Sequence, residues 1–237
     1  KGKGYAPAEQ NKEAWHYCAP FDIETGKSLF VPTGEDYSSV TRDYLLEKMK
    51  KDPRVVAITS ATPTVMGFTE DKRKEAGSQF IDVGIAEETA VAVASGIAAN
   101  GGKPVYGVYS TFVQRTFDQI SQDLCINNNP ATIVTFWGSV YGMNDVTHLG
   151  LQDIPMLSNI PNLVYLAPTT KEEYLAMLDW SIDQNEHPVA IKLPGGELVS
   201  DGKTVTKDFS KLNQYEVTQQ GSKAAIIGLG TFYGLGK

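Results

Sequence analysis

The chain has 237 residues, of which 41% are hydrophobic and 21% are charged, a composition that excludes wholesale disorder. Its net charge of −7 argues against a nucleic-acid surface, which needs clustered Lys and Arg. Two distant cysteines, Cys18 and Cys125, form no metal-binding or disulfide pattern, so we expect a reducing, cytoplasmic setting, and no apolar run approaches the roughly 20 residues that cross a membrane.

The two ends of the chain differ in pattern from its middle. Residues 1–37 are rich in Pro, Gly, Asp and Thr, which predicts an extended linker on a surface. Residues 197–237 predict a second linker and then a buried strand at 223–229 that enters a Gly-rich turn. The glycine spacing of that turn misses the dinucleotide and phosphate-loop motifs. We therefore expect a fragment of a longer polypeptide that ends in the first strand of a truncated C-terminal α/β domain.

Residues 38–196 alternate short apolar runs with helical patterns. The expected strands cover 55–60, 80–83, 104–109, 131–136, 163–167 and 188–193. The expected helices cover about 39–51, 87–100, 112–128 and 171–183, with N-caps at Ser38 or Ser39, at Ser110 or Thr111, and at Thr170. This order predicts an α/β domain with a mainly parallel sheet and helices on both faces. Ligands bind such sheets beyond the carboxyl ends of the strands.

Two carboxylates follow the second expected strand, at Glu87 and Glu88. One interpretation is that they are there because a helix N-terminus favours negative charge. The other concerns Glu87 alone, because it shares a helix face with Val91, Ala94 and Ala98. On that face the carboxyl group would enter an apolar site, where it could hold or donate a proton.

An arginine and a histidine follow the next two strands along the chain. Arg115 lies one turn into the third expected helix, where it could pair with Asp118 at i+3 or bind an anion. The long loop at 137–150 carries His148, whose position favours a functional role over the other two histidines.

Several segments taken together resemble a known family. They are Ile85-Ala86-Glu87, the run YSTFVQRTFDQ at 109–119, Thr147-His148-Leu149-Gly150, Ile160-Pro161-Asn162 and Ala167-Pro168. In this order they resemble the 1-deoxy-D-xylulose-5-phosphate synthase family of transketolase-like, thiamine-diphosphate-dependent enzymes. The resemblance runs from Lys1 to about Gly195 and more weakly to Lys237, which implies the central, pyrimidine-binding domain.

The resemblance implies a transferase activity and a cofactor. The family condenses pyruvate, with loss of carbon dioxide, and glyceraldehyde 3-phosphate to 1-deoxy-D-xylulose 5-phosphate, a precursor of isoprenoids and thiamine. The cofactors of the family are thiamine diphosphate and Mg²⁺, and the resemblance also implies a homodimer. The residue matching the family's catalytic glutamate is Glu87, which would hydrogen-bond the pyrimidine N1′. Ile85 and Phe112 would complete the cofactor-binding residues, with Phe112 stacked on the pyrimidine.

The substrate side of the site is implied in the same way. Tyr109, Arg115, His148 and Asn144 match positions that face the acceptor aldehyde and its phosphate. Of these, His148 would also be catalytic, because a histidine can relay a proton near neutral pH.

The chain departs from the family at several positions. It has no Gly-Asp-Gly with a downstream Asn, the diphosphate and magnesium motif that the family carries on its N-terminal domain, so no metal ligand is expected here. The family has an acidic residue followed by glycine where this chain has Asn144 and Asp145. It has an arginine at each of the positions that match Trp137 and Gly195 here. These differences leave open a transketolase-like enzyme with another acceptor, a β-type subunit of a 2-oxo acid dehydrogenase, and a non-catalytic domain that retains the fold.

Overall fold

The computed structural model describes residues 2–30, 34–138 and 146–236, which fall into two compact units, Lys1–Glu35 and Asp36–Lys237. In the first unit, helix α1 spans Ala6–Gln10. The rings of Tyr5, Trp15 and Phe21 pack together there, with centroids 4.6–6.0 Å apart. The linker expected at 1–37 therefore contains a short helix and an aromatic cluster instead of extended chain throughout, because three aromatic side chains can bury apolar area against one another.

The second unit is built on a sheet of six parallel strands, which confirms the predicted fold class. The strands are β1 (Val55–Thr59), β2 (Phe80–Asp82), β3 (Lys103–Tyr109), β4 (Thr132–Phe136), β5 (Val164–Leu166) and β6 (Val189–Lys192). Their order across the sheet is β2-β1-β3-β4-β6-β5, and every pair is parallel.

Helices cover the sheet on both sides. The helices of this unit are α2 (Tyr37–Lys51), α3 (Glu70–Ala76), α4 (Glu87–Ala99), α5 (Phe117–Gln119), α6 (Asp153–Leu157), α7 (Lys171–Asp183) and α8 (Tyr233–Gly236), of which α2, α4 and α7 pack directly on the strands. Side chains alternate between the two faces along each strand. Val105 and Val134 pack with residues of α2 and α7, whereas Tyr106 and Ile133 pack with residues of α4. Among the described residues, no helix is long and apolar enough to span a membrane.

The third expected helix is composite. A 3-10 segment, Phe112–Thr116, leads into α5, and a π-helical segment, Ile120–Ile126, completes it. We call these three segments together the composite helix. Val113, Ile120 and Leu124 are buried in the core with residues of α4, whereas Phe117, which shares their helical spacing, is 42% exposed. Spacing along the sequence does not distinguish these helix types.

The N-caps only partly follow the predictions. Thr170 caps α7, accepting a hydrogen bond from the Glu173 amide, as predicted. For α2 the predicted cap is wrong: Asp36 accepts from the Ser39 amide, while the Ser39 hydroxyl accepts from the Asp36 amide. Neither expected residue caps the composite helix. The Thr111 side chain makes no capping hydrogen bond, and the buried Ser110 hydroxyl donates to Asp153 instead.

The last forty residues also differ from prediction. Phe209 is buried and packs on Trp180 of α7, with ring centroids 6.3 Å apart. The buried strand expected at 223–229 is wrong: this segment is not a strand, and Ile226 and Ile227 are exposed. A parallel strand needs a hydrogen-bonded neighbour, and none of the strands in the described residues pairs with this segment.

Candidate active site

The site lies at the carboxyl edge of the sheet, where the direction of the strand connections reverses. The chain leaves β1 toward β2 on one side and leaves β3 toward β4 on the other. Such a reversal opens a crevice between two neighbouring strands. Glu87 follows β2, and Tyr109 ends β3, so the two meet at this crevice from opposite sides of β1.

Burial separates the two carboxylates at the start of α4. Glu88 is exposed, as a first-turn carboxylate that only complements the helix dipole would be. Glu87 is 2% exposed, and Val91, Ala94 and Ala98 on the same helix face are buried in the core. An ionised carboxylate is costly to bury unless it is paired. The second interpretation of Glu87, as a carboxyl group in an apolar site, is the one that the structure matches.

The partner of Glu87 is Arg115. Arg115 Nη1 donates to Glu87 Oε2 at 3.0 Å, and the arginine side chain is 57% exposed. The structure thus gives Arg115 a partner other than the Asp118 considered from spacing. This hydrogen bond raises the pKa of Arg115, so the guanidinium stays charged. One end of the arginine therefore compensates a buried charge while the rest faces solvent.

Three rings stand together where β3 ends and the composite helix begins. Tyr109 and Phe112 lie 5.4 Å apart between centroids, and His148 lies 5.5 Å from Tyr109 and 5.3 Å from Phe112, all edge-on. The His148 Nδ1 and the Thr147 hydroxyl are 2.8 Å apart, and either can donate depending on the histidine tautomer. The structure thus brings together Tyr109, Phe112 and His148, which the sequence analysis had selected separately.

Two selected residues are placed differently. Ile85 precedes α4 and is 78% exposed, so it presents apolar surface next to the start of the helix. Asn144 lies outside the described residues. No group of three or more His, Cys, Asp or Glu side chains in the described ranges is arranged to hold a metal ion.

A buried polar cluster next to the three rings was missed by the sequence analysis. Asp153 is fully buried, and its Oδ2 accepts from Lys192 Nζ, from Ser110 Oγ at 2.5 Å and from the Tyr165 hydroxyl at 3.3 Å. Burial lowers the pKa of Lys192, which the neighbouring Asp153 carboxylate opposes, and burial raises the pKa of Tyr165. A lysine inside the otherwise apolar run VAIKL at 189–193 was the available signal, because a charge there needs a buried partner.

Comparison with known proteins gives the class of this domain. The family described as "Transketolase, pyrimidine binding domain" matches residues 34–199. The chain therefore belongs to the transketolase pyrimidine-binding domain family. Solved transketolases share the fold: the enzyme from Leishmania mexicana aligns with a TM-score of 0.63 at 16% identity, over 73% of this chain and 28% of the other. A chain described as "Split gene transketolase, inactive beta4 tetramer" aligns with a TM-score of 0.56 at 21% identity, over 70% of this chain and 52% of the other.

Within that class, the curated relatives carry one particular name. A 1-deoxy-D-xylulose-5-phosphate synthase from Natranaerobius thermophilus is 40% identical over 233 residues, 97% of this chain and 36% of the relative. The synthase from Heliobacterium modesticaldum is 39% identical over 240 residues, 99% of this chain and 36% of the relative. The chain thus spans little more than a third of the length of the relatives that it matches.

Proposed function

We propose that the intact polypeptide is a thiamine-diphosphate-dependent transferase that condenses pyruvate, with loss of carbon dioxide, with an aldehyde, as the name of its relatives suggests. The observation that carries the proposal is Glu87, a carboxylate buried at the start of an apolar helix and paired with Arg115 of the composite helix, which begins at Phe112. In the proposal this chain supplies the pyrimidine half of the cofactor site. A homodimeric, cytoplasmic enzyme is part of the same proposal.

The residues present fit an aminopyrimidine ring. Such a ring offers a nitrogen that can share a proton with a carboxylate and an apolar face that can stack on an aromatic side chain. Glu87 would hold the ring nitrogen, Phe112 would meet the ring face, and Ile85 would add apolar contact. When bound, thiamine diphosphate supplies the electron sink for breaking and forming carbon–carbon bonds. In the proposal its diphosphate and Mg²⁺ are held outside this chain, since the sequence lacks the Gly-Asp-Gly motif.

The chain's own residues would bind the substrates and move one proton. Arg115 has an exposed guanidinium edge that can hold a phosphate or carboxylate, since arginine binds such anions bidentately. The rings of Tyr109 and His148 meet edge to face, where their polar groups can orient a carbonyl and pass a proton to its oxygen. Asn144 stays a predicted substrate contact.

Two measurements on the intact polypeptide test the proposal. Isothermal titration calorimetry in the presence of Mg²⁺ should show saturable binding of thiamine diphosphate. Release of carbon dioxide from pyruvate should require both thiamine diphosphate and Mg²⁺. Binding without carbon dioxide release would favour a transketolase-like enzyme with other donors. Loss of both would favour a non-catalytic domain, and a requirement for a separate subunit would favour the 2-oxo acid dehydrogenase type.

A second proposal concerns the acceptor, and it rests on Trp137 and Gly195. Neither carries the positive charge that the family resemblance leads one to expect at these positions. A charged hydrogen bond is worth ~1.5–3 kcal/mol, so loss of two would weaken phosphate binding by roughly 10²–10⁴-fold. We therefore expect glyceraldehyde 3-phosphate to be a poorer acceptor than an unphosphorylated aldehyde. Steady-state kinetics with glyceraldehyde and its 3-phosphate measure this, and a strong preference for the phosphate would show that other basic groups bind it.

A further inference from the structure

We propose that the buried cluster of Ser110, Asp153 and Lys192 positions His148 against Tyr109 and Phe112. The three residues are positioning residues, because they act on the site through the segments that carry them. The inference rests on the proposed function for its kinetic consequence and on the structure alone for its geometric one.

The cluster joins three segments that are distant along the chain. Ser110 directly follows β3 and Tyr109, Lys192 ends β6, and Asp153 begins α6 five residues after His148. Ser110 and Asp153 are both fully buried, and the Lys192 side chain is only 14% exposed. Because one carboxylate oxygen of Asp153 accepts from both other members, that oxygen ties β3 and β6 to the segment that follows His148.

The backbone around the cluster leaves little room for movement. Lys192 Nζ lies 3.5 Å from the Gly150 carbonyl, two residues after His148. Gly150 has a φ of +59°, and a Cβ there would lie 2.5 Å from the Cβ of Ser110. A Cβ on Gly138, at the other end of the loop, would lie 2.5 Å from Ser110 Oγ and from Lys192 Nζ. A side chain at Gly150 would therefore clash with Ser110, and one at Gly138 would displace Ser110 or Lys192.

The consequence for the site is geometric. The Ser110 hydroxyl holds the end of β3, and hence Tyr109, against the Asp153 carboxylate at the start of α6. The ammonium of Lys192 contacts both that carboxylate and the Gly150 carbonyl, and so holds the segment that carries His148. The ring contacts of His148 with Tyr109 and Phe112 are set between these two attachments. Misplacement of a catalytic group by about 1 Å can cost about 10²-fold in rate. A small change in the cluster should thus alter the step that uses His148.

A matched pair of variants separates positioning from stability. Ser110 and Tyr165 both donate a hydroxyl to Asp153 Oδ2, but Tyr165 lies on the edge strand β5. In the intact enzyme, Ser110→Ala should lower kcat/KM for the aldehyde by about 10–100-fold while carbon dioxide release from pyruvate alone stays near wild type. Tyr165→Phe should change neither. Hydrogen–deuterium exchange should rise at 146–152 in Ser110→Ala only.

A second set of variants covers the charged pair. Lys192→Met alone leaves a buried carboxylate without its cation and can prevent folding. The double variant Asp153→Asn/Lys192→Met keeps the volume of both side chains and removes both buried charges, so it should fold. It should resemble Ser110→Ala in exchange and in kinetics.

Equal effects of Ser110→Ala and Tyr165→Phe, or unchanged exchange at 146–152 in Ser110→Ala, would overturn the proposal. If the intact enzyme uses no aldehyde with pyruvate, the proposed function fails. The exchange comparison then still decides whether the cluster holds the His148 segment.

Discussion

At the scale of single residues, the local pattern selects the candidates, and burial decides between interpretations. Glu87 and Glu88 are adjacent residues of the same type, yet Glu87 is buried and Glu88 is exposed. The sequence left two interpretations open, and the apolar helix face that only Glu87 shares was the signal for the one that burial supports. The ion pair of Glu87 with Arg115 joins residues 28 positions apart, and no local spacing could have predicted it.

The first prediction concerns Glu87. In the intact enzyme, Glu87→Gln should lower turnover by about 10²–10⁴-fold, because an amide keeps the size of the side chain but cannot share a proton with a ring nitrogen. Steady-state kinetics with pyruvate and an aldehyde measure this, and circular dichroism checks that the fold is kept. Glu88→Gln is the matched control and should stay near wild type. Near-normal turnover in Glu87→Gln would remove this carboxylate from the mechanism.

At the scale of elements, the sequence predicts the six strands and the longer helices α2, α4 and α7, but it misses the short helices α1, α3 and α6. Each of the six expected strands appears within a residue or two of its predicted bounds, because continuous apolar runs are diagnostic of buried parallel strands. The cap of α2 was missed since Asp36 and Ser38 are both good capping residues, and only the backbone dihedrals distinguish them. The short α6 was missed because Asp153–Leu157 is too brief for helical periodicity to show.

The second prediction concerns the N-terminus of α2. Replacing Asp36 by Ala should destabilise the chain by about 1 kcal/mol, because the Ser39 amide loses its acceptor. For a chain of this length that corresponds to a Tm lowered by about 2–4 °C. Thermal unfolding followed by circular dichroism measures the shift.

The control for this variant is Asp36→Asn, since asparagine caps helices as well as aspartate does. Asp36→Asn should unfold near the wild-type temperature. If Asp36→Ala also unfolded there, the capping hydrogen bonds would contribute nothing measurable to stability.

At the scale of the whole molecule, the site is a product of sheet topology. Parallel strands bring their carboxyl ends to one edge, so Tyr109, the start of α4 and the segment after β6 converge there although they are far apart in sequence. The sequence predicts this edge and several of its residues. It cannot predict the Ser110–Asp153–Lys192 cluster, because that cluster depends on the pairing of β4 with β6 and on the close approach of Gly150 to Ser110.

The third prediction concerns the attachment of the C-terminal segment to α7. Glu172 in the first turn of α7 accepts hydrogen bonds from the Ser200 hydroxyl and from the amides of Asp201 and Gly202. The Ser200 hydrogen bond contributes most to lowering the pKa of Glu172, from its ordinary 4.5 to about 2. A carboxyl group whose pKa is lower in the folded chain stabilises the fold above pH 4.5. This contribution is lost as the pH falls toward 2.

The difference in free energy of unfolding between wild type and Glu172→Gln should therefore shrink as the pH falls from about 4.5 to about 2. Glutamine keeps the size of the side chain but has no proton to gain, so the variant lacks this one titration. Urea unfolding at a series of pH values measures the difference, and Glu186→Gln, on an exposed residue beyond the end of α7, is the control. A wild-type-to-Glu172→Gln difference that stays constant over this range would show that the carboxylate does not fasten the segment at 200–202 to the helix. Hydrogen exchange of the Asp201 and Gly202 amides would then show the same protection in both proteins.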